Sequence, residues 1–353
     1  MERFTYTGLP TRVIFGFGVI GQLMDEVRAI SLDRVLVLSG AQQEVRARDI
    51  SHAMGDLSVG VYSNATMHTP VSVTEDALGV YEDSGAQGVV AIGGGSAIGL
   101  GKAIALRTGC PLLVLPTTYA GSEMTSIIGQ TDGGVKTTQK TLQVLPKTVI
   151  YDVELTLSLP PVLSITSGMN AIAHAVEAMY AENSNPVLSL MAGEGVGVLA
   201  AALPRIVADP HNRQARYDAL YGAWLCATCL GSGGVALHHK LCHVLGGSFD
   251  LPHAATHTIV LPHAIAYNAP AIPGALARLN SVMGTDDAAG FLYDLASEGG
   301  APLALKDLGM QESGISKAAE IVLKNPYYNP RPLEEGPIED LIRAAWKGER
   351  PTC

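Results

Sequence analysis

The chain has 353 residues, 47% of them hydrophobic and only 16% charged, with a formal net charge of −10. That length suffices for two domains with separate cores, and an acidic balance without any Lys/Arg run argues against nucleic acid or an anionic membrane as partner. It leaves room for a small anionic substrate, which needs only a few local cations. The opening MERFTYTGLPTRVIFG lacks a charged-then-apolar signal pattern, and no apolar run reads as the ~18 residues of a membrane span, so a cytoplasmic location is expected. Cys110, Cys226, Cys229, Cys242 and Cys353 are odd in number and expected as reduced thiols. Cys226 and Cys229 form a C-x-x-C inside the apolar run YGAWLCATCLG and read as small core residues, since no second pair completes a zinc site.

Roughly the first 150 residues alternate β-branched runs with helical stretches, the pattern of an α/β sheet with crossover helices. Candidate strands are Val13–Phe15, Val35–Leu38, Val59–Tyr62, Val89–Ile92, Leu112–Leu115 and Val149–Tyr151, with helices such as Val71–Ser84 and Ala97–Arg107 between them. After about Asp152 the strand signals fade, and Ala/Leu/Val-rich helices follow: Val162–Tyr180, Pro186–Ala208, Arg213–Leu230 and onward to Ile338–Trp346. The expected fold is an α/β Rossmann-like nucleotide-binding domain over residues 1–155. An all-α domain over residues 156–353 follows it.

Val89–Ile92 runs into Gly93-Gly94-Gly95-Ser96 and then a helix. A strand, a glycine turn and a helix N-terminus form an anion site, because first-turn N–H groups and the helix dipole point at the ligand. The usual G-x-G-x-x-G fingerprint is not met, since Ile98 stands at its third glycine. The next strand ends in Pro116-Thr117-Thr118-Tyr119-Ala120-Gly121-Ser122-Glu123, a second polar turn where open α/β sheets bind ligands.

Six of the ten histidines fall between His238 and His263. His239 and His243 share a helix face, Gly246-Gly247 is expected to end or bend that helix, and Pro252-His253 opens the next and folds His253 back. Imidazole is the commonest metal ligand and the commonest group titrating near neutrality, so the cluster implies metal binding, proton transfer or both. Asn170 and His174, four apart on an otherwise apolar helix, supply partners, with the cluster expected in a cleft between the halves.

These spacings resemble the iron-containing alcohol dehydrogenase family over essentially the whole chain, and within it the branch that reduces maleylacetate. The resemblance covers the nucleotide turn Gly93 to Ser96 with Lys102, and the threonine turn Thr117-Thr118. It also covers the family's ligand positions, which fall on Asn170, His174, His239 and His253, with the non-ligand histidine at His243. It implies a dehydroquinate synthase-like architecture, NADH or NADPH as cofactor and a homodimer; pairing is expected through the segment Phe4–Phe17, because edge strands invite it. The implied reaction is reduction of the conjugated C=C of maleylacetate, and of chlorinated analogues, to 3-oxoadipate in aromatic breakdown. Two departures matter. Asn170 replaces an aspartate ligand, so any metal rests on His174, His239 and His253, which suit Zn²⁺ better than iron. Ser39-Gly40 stands where many members place an acid against the ribose, so NADPH is expected to be tolerated.

His243 is the expected principal acid, with His174, His239 and His253 completing a positive pocket; Asn170 is expected beside the substrate. The Pro-punctuated segment Lys324 to Arg331 is expected to bring Tyr327, Tyr328 and Arg331 over the cleft, with Arg331 gripping a carboxylate. Tyr119 is also expected to face the substrate. The alternative within the superfamily is a metal-dependent alcohol or polyol dehydrogenase, against which Asn170 counts. A phosphosugar lyase or synthase would need cations that residues 160–203 lack, and a purely ligand-binding role leaves the histidines without purpose.

Overall fold

Apolar runs without alternation, such as Val35–Leu38 and Gly88–Gly93, become strands buried on both faces, as parallel strands covered by helices must be. The computed structural model describes residues 3–133 and 135–353. It holds six strands, β1 (Arg12–Gly16), β2 (Val35–Leu38), β3 (Ser58–Tyr62), β4 (Gly88–Gly93), β5 (Leu112–Pro116) and β8 (Thr148–Asp152), in one parallel sheet of order β1-β8-β5-β4-β2-β3. The chain order reverses direction between β2 and β4, which puts the switch point of the sheet at their carboxyl ends. Helices α1 (Leu23–Ala29), α2 (Glu44–Met54), α3 (Val71–Asp83) and α4 (Gly95–Thr108) connect the strands. In α4, a Cβ at Gly101 would come within 2.7 Å of Leu112 and 3.3 Å of Ala91, so the close helix–sheet approach that a third fingerprint glycine normally permits rests here on Gly101.

An antiparallel hairpin of β6 (Ile127–Asp132) and β7 (Val135–Lys140) was not anticipated. Its second strand is polar (Thr137, Thr138, Gln139 and Lys140) and carries no apolar signature, although Asp132-Gly133 marks a turn.

The second unit contains α5 (Pro161–Ala178), α6 (Pro186–Ala208), α7 (Arg213–Ser232), α8 (Leu237–Phe249), α9 (His253–Asn268), α10 (Pro273–Met283), α11 (Ala288–Glu298), α12 (Gly314–Lys324) and α13 (Glu335–Lys347). α5 is buried continuously from Ser164 to Ala178 and packs on α6, α7, α9 and α11, as a helix apolar on all sides should. Pro161 starts it, and the side chains of Asn185 and Asn212 cap α6 and α7. The expected break at Gly246-Gly247 does not occur. α8 continues to Phe249 and stops at Asp250, in a left-handed conformation with φ 54°. Glycine permits a helix end without forcing one, and α8 is held beyond the glycines by Phe249, which packs on the core shared with α12.

The units divide at Ser158/Leu159, a few residues later than residue 155, with residues 3–7 grouped with the helices. Arg46 donates to the Leu155 carbonyl and the Ser158 hydroxyl on one side of this point, whereas Arg216 donates to the Leu159 carbonyl on the other. α6 is long and apolar enough to cross a membrane by length and composition, with mean hydropathy 1.7 over an 18-residue window, but Glu194 interrupts its apolar run and half of that window is buried.

Candidate active site

In the α/β unit, Gly93 has φ +143°, a conformation that favours glycine, and turns the chain from β4 into α4. Gly94 is the N-cap of α4 and supplies no side-chain cap, while Gly95 is exposed with open space around its Cβ position. The first-turn N–H groups of α4 therefore stay available to an anion, which fits the diphosphate of a dinucleotide. The Thr117 N–H donates to the Gly93 carbonyl at 3.1 Å, tying the two turns together. Ser96 and Thr118 are half-buried, Thr117 is buried, and Ser39-Gly40 follows β2 at the switch point. Ser39 is fully buried, with main-chain bonds to Tyr62 and Ala65, so Gly40 is the accessible member of that pair.

Lys102 does not join this cradle. Its ammonium is fully buried and donates to the carbonyls of Ser122, Thr125 and Ile127 and to the Thr125 hydroxyl, at 2.6–2.8 Å. Burial lowers its pKa to about 7, and nearby Glu123 acts against the fall. Tyr119, expected at the substrate, is completely enclosed, so its ring offers no face to a ligand.

In the helical unit, α5, α8 and α9 bring His174, His239, His243, His253 and His257 together. Ring centroids lie 5.0 Å apart for His174 and His239, 6.1 Å for His239 and His243, 5.1 Å for His239 and His257, and 4.2 Å for His253 and His257. His174 and His239 are buried, whereas His243 and His253 are exposed. Burial first, then the neighbouring imidazoles, holds His174, His238 and His257 well below the usual histidine pKa. His174 is therefore neutral at pH 7 and does not contribute to a positive pocket. The Tyr327 hydroxyl lies 3.0 Å from His243 Nδ1. Tyr328 is exposed, and Asn170 is buried one turn before His174.

Arg331 does not reach these histidines. It donates to the Tyr267 carbonyl at 2.7 Å and stacks 4.1 Å from the Tyr267 ring. Tyr267 lies fourteen residues beyond His253 on α9, about 20 Å along a helix rising ~1.5 Å per residue.

Two groups escaped the sequence reading. Glu177, fully buried on α5, accepts His239 Nδ1 at 2.6 Å and the N–H groups of Ala236, His238 and His239 at 2.7, 2.6 and 3.4 Å. It caps α8 and fixes the His239 ring with Nε2, buried and partnerless, as the remaining ring nitrogen. Its signal was the spacing of three from His174, one helix face. His257 bonds through Nδ1 to His238 Nε2 at 3.0 Å, and the i, i+4 spacing from His253 would have found it.

The implied ligand set lacks a carboxylate: Asn170 is neutral, and Glu177 lies behind His239, while His174 Nδ1 and His239 Nε2 are buried without a partner. Among the described residues, the one group of three His, Cys or carboxylate donors within 4.8 Å of one another is His238, Cys242 and His257, which leaves out the His174, His239 and His253 trio. Within that group the two imidazoles already bond to each other.

The iron-containing alcohol dehydrogenase model matches residues 10–153, and the Fe-containing alcohol dehydrogenase C-terminal model matches residues 164–346. The chain is 52% identical over 349 residues to the maleylacetate reductase of Sphingobium indicum, covering 99% of each protein. It is 50% identical over 351 residues to that of Rhizobium sp., covering 99% of this chain and 100% of the relative. The crystal structure of maleylacetate reductase from Agrobacterium tumefaciens superposes with a TM-score of 0.95 at 50% identity, over 99% of this chain and 100% of that one. This chain belongs to the iron-containing alcohol dehydrogenase family.

Proposed function

We infer that this chain catalyses the NAD(P)H-dependent reduction of the conjugated C=C of maleylacetate to 3-oxoadipate, a step of aromatic breakdown. The observation that carries the reading is the full-length identity of 50–52% to maleylacetate reductases. The reading is supported by a histidine cluster that keeps the family's spacing but has lost its carboxylate ligand at Asn170. Gly93, Gly94, Gly95, Ser96, Thr117 and Thr118 hold the dinucleotide, with Ser39-Gly40 at its ribose. An uncharged ribose site repels neither a hydroxyl nor a 2′-phosphate, so both NADH and NADPH serve.

When bound, NAD(P)H supplies a hydride to the alkene carbon β to the ketone. The alkene's electrons move onto the ketone oxygen as an enolate, and a proton added to the α carbon completes the reduction. His243 delivers that proton from Nε2, its Nδ1 being held by Tyr327. His239, oriented by Glu177, and His253 face the oxyanion, and Asn170 contributes a neutral amide. Chlorinated maleylacetates fit the same chemistry, since the hydride acceptor and the enolate are unchanged. No step requires a metal. The edge position of β1 and the exposed Phe17 after it support a homodimer.

The test is NAD(P)H oxidation with maleylacetate before and after chelator treatment. Turnover insensitive to chelator is expected. Turnover lost and restored by Zn²⁺ or Fe²⁺ overturns the metal-free reading, and oxidation of simple alcohols without maleylacetate turnover overturns the substrate.

A further inference from the structure

Lys240 lies on α8 between His239 and His243 and is only 9% exposed. Among the described residues its ammonium makes no hydrogen bond or ion pair. Its contact is with Tyr327, whose ring centroid is 5.3 Å from the ammonium. Tyr327 is the same residue whose hydroxyl meets His243. One ring thus carries the cluster's cation on its face and an accessible imidazole at its hydroxyl. Residues three apart on a helix are neighbours, so the ammonium and the His243 ring serve one small volume.

The stem of Lys240 is buried while its ammonium, which has no acceptor in the described chain, stays open to solution and to an anion arriving from it. The carboxylate set into this cluster, Glu177, is already used by His239 Nδ1 and by main-chain N–H groups of α8. An anion that meets the ammonium therefore comes from outside the chain. Arg331 is committed to Tyr267, whereas Lys240 lies on α8 beside the histidines.

We propose that Lys240 is a specificity-determining residue that binds a carboxylate of the dicarboxylate substrate while His243, its neighbour on the same helix, faces the reacting carbons. The proposal rests on the maleylacetate reading. Both carboxylate carbons of that substrate lie within three bonds of the carbon to be protonated, about one residue's width on the helix surface. A cation three positions from the acid therefore matches the spacing the substrate presents.

The experiment compares wild-type enzyme with Lys240→Met and Lys240→Arg, measuring kcat and KM for maleylacetate, KM for NADH, and equilibrium binding of 3-oxoadipate. A charge-assisted contact is worth about 10- to 100-fold in affinity. Lys240→Met is expected to raise the maleylacetate KM and the 3-oxoadipate Kd by about that factor. It should leave kcat within about threefold and the NADH KM unchanged, and Lys240→Arg should recover most of the loss. An unaltered maleylacetate KM in Lys240→Met, or parallel losses in NADH and dicarboxylate binding together with a lower Tm, overturns the proposal. Absence of maleylacetate turnover in the wild-type enzyme defeats the functional reading instead. In that case 3-oxoadipate binding still decides whether Lys240 takes a dicarboxylate: equal Kd in wild-type and Lys240→Met overturns the proposal.

Discussion

At the carboxyl end of β4 the groups on offer are mainly main-chain atoms, the N–H groups that follow Gly93 and Gly94 without a side-chain cap, and the local lysine is turned inward to hold three carbonyls. On α5, α8 and α9 the situation is reversed. There the available groups are imidazoles, a phenol and an ammonium, and main-chain N–H groups are used up in fixing Glu177. The glycine turn depends on backbone shape, and Gly101 keeps α4 close to the sheet although Ile98 stands in a fingerprint position. The histidine cluster works through side-chain identity, so one replacement, Asn170, changes what it can bind. Fully buried Lys102 and Glu177 serve placement in the two regions.

The largest expected effect comes from removing Glu177. Glu177→Ala leaves three N–H groups and the His239 ring without their acceptor in a fully buried site, a loss of about 3–5 kcal/mol. Chemical denaturation and kcat should fall together, and a variant of wild-type stability would show that the carboxylate is dispensable. Lys102→Met tests the contrast from the other side. If the lysine is structural, stability falls by about 2–4 kcal/mol as buried carbonyls lose their donor, while the NADH KM of the folded protein changes little. A raised NADH KM at unchanged stability would make Lys102 a phosphate ligand and erase the distinction between the two regions.

The smallest effect concerns acid. His263, buried on α9 with Nε2 partnerless, has its pKa lowered to about 4 by burial, with Glu349 opposing. The unfolded chain takes up this proton near pH 6.5 and the folded chain does not, so stability is full above that value and declines as pH falls towards 4. Between pH 7.5 and 5 the decline from this residue is about 2 kcal/mol. His263→Gln should show a correspondingly shallower fall in Tm over that range, and an identical slope would remove His263 as a source.

Much of this was legible because it depends on local pattern. Val35–Leu38 and Pro186–Ala208 are found where the apolar runs put them, and the i, i+4 pairs Asn170/His174 and His239/His243 share helix faces by geometry alone. The hairpin β6–β7 was not, since its pairing depends on hydrogen bonds between strands and its second strand has no apolar alternation to announce it.

By itself the sequence determined the alternation of strands and helices, the glycine turn after β4 and the presence of histidines at spacings that one helix can align. These follow from residue periodicity and backbone freedom, which act over a few positions. Only the tertiary structure decided which charged groups are buried and which are presented: Lys102 against carbonyls, Arg331 against Tyr267, Glu177 behind His239 and Lys240 over Tyr327. Desolvation and partner choice depend on residues tens of positions away, and no local pattern encodes them.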